Sequence, residues 1–216
     1  MTESKGTELL REAAEWRLLG LLLACPLGDW QTQVAALAAE VADEQLAEAA
    51  AAAREDAGEG LYHTTFGPGG PAAPREVSYR EYVTPGQSLS EVTGCYDAFA
   101  YRPTTDEAPD HVAVEADFMA DLRLKEAYAT ARGDDEQAAL TAEAAQRFLE
   151  DHLSSIAAPL AQSLDAFGLR YLTLASAALL HRVGPPRHVV PAAGPLPVFN
   201  DEACLSGCTA AAELEG

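Results

Sequence analysis

Residues 109–134 read PDHVAVEADFMADLRLKEAYATARGD, and this stretch decides the fold. Val112, Glu115, Phe118, Met119 and Leu122 recur at intervals of three and four, so they line one side of a helix. Pro109 or Asp110 opens the segment, proline being favoured in a first helical turn. The pattern runs as the longest helix of the chain to about Arg132. Gly133 stops it, and Asp134 is placed to cap a following helix through Phe148 to about Leu153.

Working outward, the same period continues on both sides. Ser154 or Ser155 opens a helix to Phe167, with Pro159 as a kink or a restart, and Gly168 separates it from an apolar helix, Leu169 to Val183. After Gly184 come Pro185, Pro186, Pro191, Pro195 and Pro197, a composition that cannot continue a helix. Upstream, Ser88 and Glu91 form a capping box that opens a helix to about Tyr101, with Val92, Cys95, Tyr96 and Phe99 on one face. Residues 62–87 read as a loop, because Gly67-Pro68-Gly69-Gly70-Pro71 and Pro74 leave no room for a regular element. Asp43 caps an Ala-rich helix to Ala57, ended by Gly58 and Gly60. Trp30 to Ala39 and Thr7 to Ala24 complete the set, the last stopped by Pro26. No alternation lasts long enough for a sheet. The expectation is an all-α, single-domain helical bundle over residues 1–184 with one long Gly/Pro-rich loop. Residues 185–216 are a poorly ordered Pro-rich tail holding Cys204 and Cys208.

Charge narrows the partners. With 14 Lys and Arg against 34 Asp and Glu, the 216-residue chain carries a formal net charge of −20. That repels phosphate, so nucleic acid and anionic membrane surfaces are poor partners, whereas a cationic peptide is attracted. The run Leu18 to Cys25 imitates a short export signal, but Glu3, Glu8, Glu12 and Glu15 precede it where a signal carries positive charge. The run is also too short to span a bilayer. Leu9, Leu10, Ala13, Trp16 and Leu19 instead fall at helical spacing. The expected location is the cytoplasm, without stable membrane association and with reduced cysteines. Cys25 and Cys95 read as small core side chains. Cys204 and Cys208 read as free thiols, and no metal or cofactor is expected.

Catalytic signatures are missing from the sequence. It has no phosphate loop ending in Lys-Ser/Thr, no dinucleotide fingerprint, no Gly-x-Ser-x-Gly elbow and no paired Glu-x-x-His. The most informative segment is Glu107-Ala108-Pro109-Asp110-His111. Two carboxylates meet there at a helix N-terminus, which favours anions, beside a histidine in a range to titrate near neutrality. Three readings fit such a corner: a capped helix, a peptide-binding site, or a metal- or nucleotide-dependent helical enzyme. An unrelated helical adaptor is a further alternative.

The segment resembles the Glu-x-x-Asp-His signature of the TorD/DmsD/NarJ family of molybdoenzyme maturation chaperones. Tyr62-x-x-x-Phe66-Gly67-Pro68-Gly69 is similar to that family's aromatic and Gly-Pro segment, and Pro74-Arg75-Glu76-Val77-Ser78-Tyr79 to its Pro-rich loop ending in an aromatic. Glu115-Ala116-Asp117-Phe118-Met119 and Phe148-Leu149-Glu150-Asp151-His152-Leu153 follow in the family's order. Val77 and Ser78 stand in reversed order, and Arg75 stands where an aromatic is common. The resemblance implies a chaperone and not an enzyme. It implies binding of the twin-arginine type leader, or the apo form, of a molybdopterin oxidoreductase catalytic subunit until its cofactor is inserted, by a monomer or a domain-swapped dimer. Glu107 and Asp110 would then receive the arginine pair, with Pro109 and His111 completing the corner, Tyr62, Tyr79 and Tyr82 lining the groove and Pro74 of the Pro-rich loop among the peptide contacts. The remaining histidine of these motifs, His152, reads as a helix-end residue complementing the dipole.

Overall fold

The computed structural model describes residues 2–81 and 83–184. Tyr82, Cys204, Cys208 and the whole 185–216 tail lie outside the described residues. Nine α-helices are present among the described residues: α1 (Thr2–Leu23), α2 (Trp30–Ala38), α3 (Glu44–Asp56), α4 (Glu59–Phe66), α5 (Pro85–Ala98), α6 (Val112–Arg132), α7 (Asp135–Phe148), α8 (Ser154–Phe167) and α9 (Arg170–Val183). A 3₁₀ turn, Glu76–Ser78, precedes α5, and a π turn, Leu149–Leu153, joins α7 to α8. No described helix is long and apolar enough to cross a membrane. The chain is all-α.

The centre of the bundle is the pairing of α1 with α6. Arg17 pairs with Asp117, Arg123 with Glu12 at 3.1 Å and Lys5 with Glu126 at 3.5 Å, so the two helices run antiparallel. α7 packs on α6, α9 packs on α3 and α8, and these layers enclose Leu18, Leu19, Leu22, Val114, Phe118, Met119 and Leu160. Phe118 is the aromatic hub, with ring centroids 4.7 Å from Tyr96 and 4.8 Å from Phe148. Gly20 lets α1 approach α6 closely. A Cβ there would lie 2.6 Å from Asp117 Oδ1 and 3.0 Å from the Ala113 carbonyl oxygen. Because Arg17 holds that carboxylate, Gly20→Ala is expected to destabilise the chain by about 1–3 kcal/mol, the cost of overpacking. A melting temperature equal to wild type would show that the pair tolerates the methyl.

Several expectations need correction. Residues 59–66 are helical, because Tyr62, Thr65 and Phe66 at i, i+3 and i+4 bury one face, and Gly58 begins α4 as its N-cap. α5 starts at Pro85, with the Thr84 hydroxyl accepting from the Gln87 N–H at 3.3 Å. Ser88, the expected cap, lies inside that helix with a buried hydroxyl that has no partner among the described residues. α6 starts at Val112, capped by His111 and not by Pro109 or Asp110. It spans 21 residues against 22 for α1 and so is not the longest helix. Leu10 is exposed, and Cys25 and Cys95 are half-buried. Other signals hold: Asp43 and Asp134 cap α3 and α7 through their side chains, and Gly133 (φ 70°) and Gly168 (φ 76°) end α6 and α8 in the left-handed conformation that glycine adopts freely.

Candidate functional site

The 67–75 segment is pinned to the start of α6 by a short antiparallel bridge between Arg75 and His111. The Val112 N–H donates to the Pro74 carbonyl and the Glu76 N–H to the Asp110 carbonyl, both at 2.8 Å. Proline has no N–H to lose in such a pairing, so Pro74 fits at this edge. The bridge sets Arg75 against Asp110, Nε donating to Oδ1 at 2.8 Å. Asp110 is 0% exposed, while the Arg75 side chain is 37% exposed. The Asp110 carboxylate therefore faces inward and is already neutralised.

His111 is the hinge of a polar relay. Its Nδ1 accepts from the Ala113 N–H at 3.1 Å, which assigns the ring proton to Nε2. Nε2–H then donates to the Tyr62 hydroxyl at 3.0 Å, and that hydroxyl donates to Glu107 Oε1 at 2.8 Å. Burial pushes the His111 pKa down to about 4, against the pull of the Glu107 and Asp110 charges. The ring is thus neutral at pH 7, in place of the near-neutral titration that its sequence position implies. Burial, and then the bond to Glu107, hold the Tyr62 phenol well above its usual value. The relay fixes Glu107 in place as a half-buried carboxylate.

Glu107 borders two grooves. One, of about 470 Å³, lies over Tyr62, Phe66, Pro74 and Arg75, with the Gly67–Gly70 turn as its wall. The other, of about 630 Å³, lies between the end of α1, the start of α2 and residues 103–107, and takes in Leu21, Trp30, Asp106 and Asp117. Gly70 belongs to the wall of the first because a Cβ there would lie 2.3 Å from the Thr65 carbonyl oxygen.

Behind the bridge is a second charged cluster. His152 Nδ1 lies 3.1 and 3.2 Å from the two oxygens of Glu76, and Arg80 reaches Glu76 at 3.2 Å and Glu91 at 2.8 Å. Burial alone would lower the His152 pKa. Hydrogen bonds with Cys95 and Glu76, and the charges of Glu76 and Glu115, outweigh it and raise the pKa to about 10. His152 is therefore a buried imidazolium and not a surface helix-end residue. Glu115 is fully buried, and its oxygens meet no donor among the described residues. Burial first, then the Glu76 charge, drive its pKa well above the carboxylate range, so it is held protonated and can donate to Glu76.

These shifts make stability fall at both ends of the pH range. The neutral His111 contribution is present above the ordinary value of 6.5 and is lost as pH falls through about 4. The His152 contribution is fully present below 6.5 and is lost as pH rises through about 10, and the raised pKa of Glu115 acts in the same alkaline direction. Thermal unfolding across pH is expected to show both limbs, with His152→Gln flattening the alkaline one. An alkaline limb unchanged in that variant would contradict the assignment.

The expected site residues are therefore only partly assembled. Glu107, His111 and Pro74 meet at the first groove. Asp110 lies beneath it, bonded to Arg75. Pro109 is half-buried and uses its carbonyl to accept from the Tyr96 hydroxyl at 2.8 Å. Tyr79 closes the 73–79 turn on itself, donating to the Ala73 carbonyl at 2.8 Å and accepting from the Ala73 N–H at 3.2 Å. Tyr82 lies outside the described residues. Sequence reasoning did not pick out Arg75, Glu76, Glu115 or His152 as parts of the site. Glu115 had a signal: it is the single acid in the apolar run Val112–Ala116. The others pair with residues far along the chain, which no local pattern reveals.

Among the described residues, no three His, Cys, Asp or Glu side chains gather to hold a metal ion. The Nδ1 lone pair of His111 is taken by the Ala113 N–H and its Nε2–H by the Tyr62 hydroxyl, so neither nitrogen is open to a metal in this arrangement. Comparison with known proteins adds one finding: residues 34–162 match the family model described as nitrate reductase delta subunit. No curated protein and no solved structure gives a significant match.

Proposed function

The chain belongs to the nitrate reductase delta subunit family, whose members are maturation chaperones of molybdoenzymes, and from that premise we propose that it binds a twin-arginine type leader, or the apo form, of a molybdopterin oxidoreductase catalytic subunit. It does so in the cytoplasm, before the client is exported, and without catalysing a reaction of its own. The observation that carries this reading is Glu107, a carboxylate fixed by the Tyr62–His111 relay where two grooves meet. A guanidinium pairs with such a group through two parallel hydrogen bonds. Asp106, exposed beside it on the wider groove, takes the second arginine of the pair. The apolar part of the leader lies against Leu21, Leu27 and Trp30.

Asp110 contributes indirectly in this reading. It holds Arg75, and through Arg75 the Pro74 wall of the groove, in register with α6. The chaperone domain covers residues 1–184, with 185–216 as an appended tail. Exchange of helices about residues 67–87 would convert the monomer to a dimer. Calorimetric titration with a synthetic twin-arginine leader, paired with size-exclusion chromatography, tests both points. One peptide per chain is expected, and an absence of heat at any ratio would overturn the binding reading.

A further inference from the structure

The smaller groove, over Tyr62 and Phe66, carries two charges of opposite sign. Among the described residues that line it, Glu107 is the single carboxylate and Arg75 the single arginine or lysine. Arg75 is held in place from two sides. Its backbone pairs with His111 in the antiparallel bridge, and its Nε donates to Asp110 Oδ1 at 2.8 Å. Asp110 is 0% exposed and does not line the groove, so it orients the guanidinium from behind. The two Nη groups of Arg75 have no partner among the described residues, and the side chain is 37% exposed. A guanidinium offers five N–H donors in a fixed fork. Asp110 takes one, and the others are left for an occupant of the groove.

Two parallel donors of this kind match a carboxylate. Asp110 offsets the point charge of Arg75, so recognition rests on the directed pair of hydrogen bonds and not on a positive field. The chain as a whole, at −20, repels a free anion. An acid that meets Arg75 must therefore be tethered to a cation, and the place for that cation in the same groove is Glu107.

We propose that Arg75 is a specificity-determining residue that reads an acidic side chain standing shortly before the arginine pair of the client leader. The inference rests on the leader-binding reading and gives it a direction. In that reading the apolar stretch that follows the pair lies in the wider groove, and Glu107 stands where the two grooves meet. The smaller groove then takes the residues on the other side of the pair. An extended chain advances about 3.3 Å per residue, so the acid falls within a few residues of the pair.

The test is calorimetric titration of the full-length chain with leader peptides that carry Glu, Gln or Lys at one position at a time, before the pair and after it. Because the chain is strongly acidic, an added acid weakens binding wherever no donor meets it, so a gain from Glu has the opposite sign to the general effect. At one or two adjacent positions before the pair, the Glu peptide is expected to bind roughly tenfold tighter than the Gln peptide, with Lys the weakest. After the pair, Glu should weaken binding. Arg75→Gln keeps an amide donor for Asp110 and removes the charged fork, so it should erase the preference for Glu while the Gln peptides still bind. An Arg75 that merely supports the Pro74 wall would instead lower the affinity of Glu and Gln peptides alike. Glu no better than Gln at every position before the pair overturns the proposal, as does a preference that a folded Arg75→Gln chain retains. The wild-type scan needs no variant, so the test stands if Arg75→Gln fails to fold. Gln peptides that bind without any gain from Glu remove this proposal and leave the leader-binding reading in place, whereas a series in which no peptide binds removes both.

Discussion

Glu107→Arg is expected to abolish binding of a twin-arginine leader while leaving the bundle folded. The carboxylate borders both grooves, and its protein partner is the Tyr62 hydroxyl, at 2.8 Å. Hydrogen bonds to charged groups contribute about 1.5–3 kcal/mol each, so Glu107→Gln alone should weaken binding roughly tenfold to a hundredfold. Reversal to Arg sets like charges together, which costs several kcal/mol more and takes the affinity below detection. The fold should survive, since Glu107 is only half-buried and Tyr62 keeps its bond to His111 at 3.0 Å. Asp110→Asn provides a contrast. It weakens the pair with Arg75 under the groove and should lower stability together with affinity. If Glu107→Arg binds the leader as wild type does, the acidic junction has no part in recognition.

Glu76→Ala is expected to produce the largest loss of stability. Glu76 is 0% exposed and faces both His152 and Arg80. Removing one member of a buried pair leaves the other charge without compensation, at about 3–5 kcal/mol. Glu115, held protonated, loses its acceptor as well, so the full range of about 3–5 kcal/mol is expected, a melting-temperature drop of roughly 6–20 °C. Because the residues act as one cluster, Glu76→Ala with His152→Gln should cost clearly less than the sum of the two singles. Strict additivity in thermal or denaturant unfolding would mean that the cluster is not coupled.

The fold was largely legible because its signals are local. The period of α6, the stop at Gly133, the caps at Asp43 and Asp134 and the break at Gly168 each depend on residues within one turn of one another. α4 was hidden because the helical spacing of Tyr62, Thr65 and Phe66 sits between glycines that argue for a loop. The site was legible in composition but not in wiring. Glu107, Asp110 and His111 stand together in sequence, yet only the bridge of Arg75 to His111 turns Asp110 inward and leaves Glu107 facing the grooves. His152 meets Glu76 across 76 residues, and its charge follows from that meeting and not from its place at a helix end. Sequence spacing cannot show which of two neighbouring carboxylates is already spoken for. The net charge of −20 excluded some partners but did not single out a carboxylate.

The central claim is that the chain grips a client leader by its arginine pair. The most direct measurement is calorimetric titration of the wild-type chain with two leader peptides that differ only in that pair, Arg-Arg against Ala-Ala. Saturable one-to-one binding of the first is expected, weakened by added salt, with an affinity for the second lower by at least about tenfold. Equal affinity for the two peptides would contradict it.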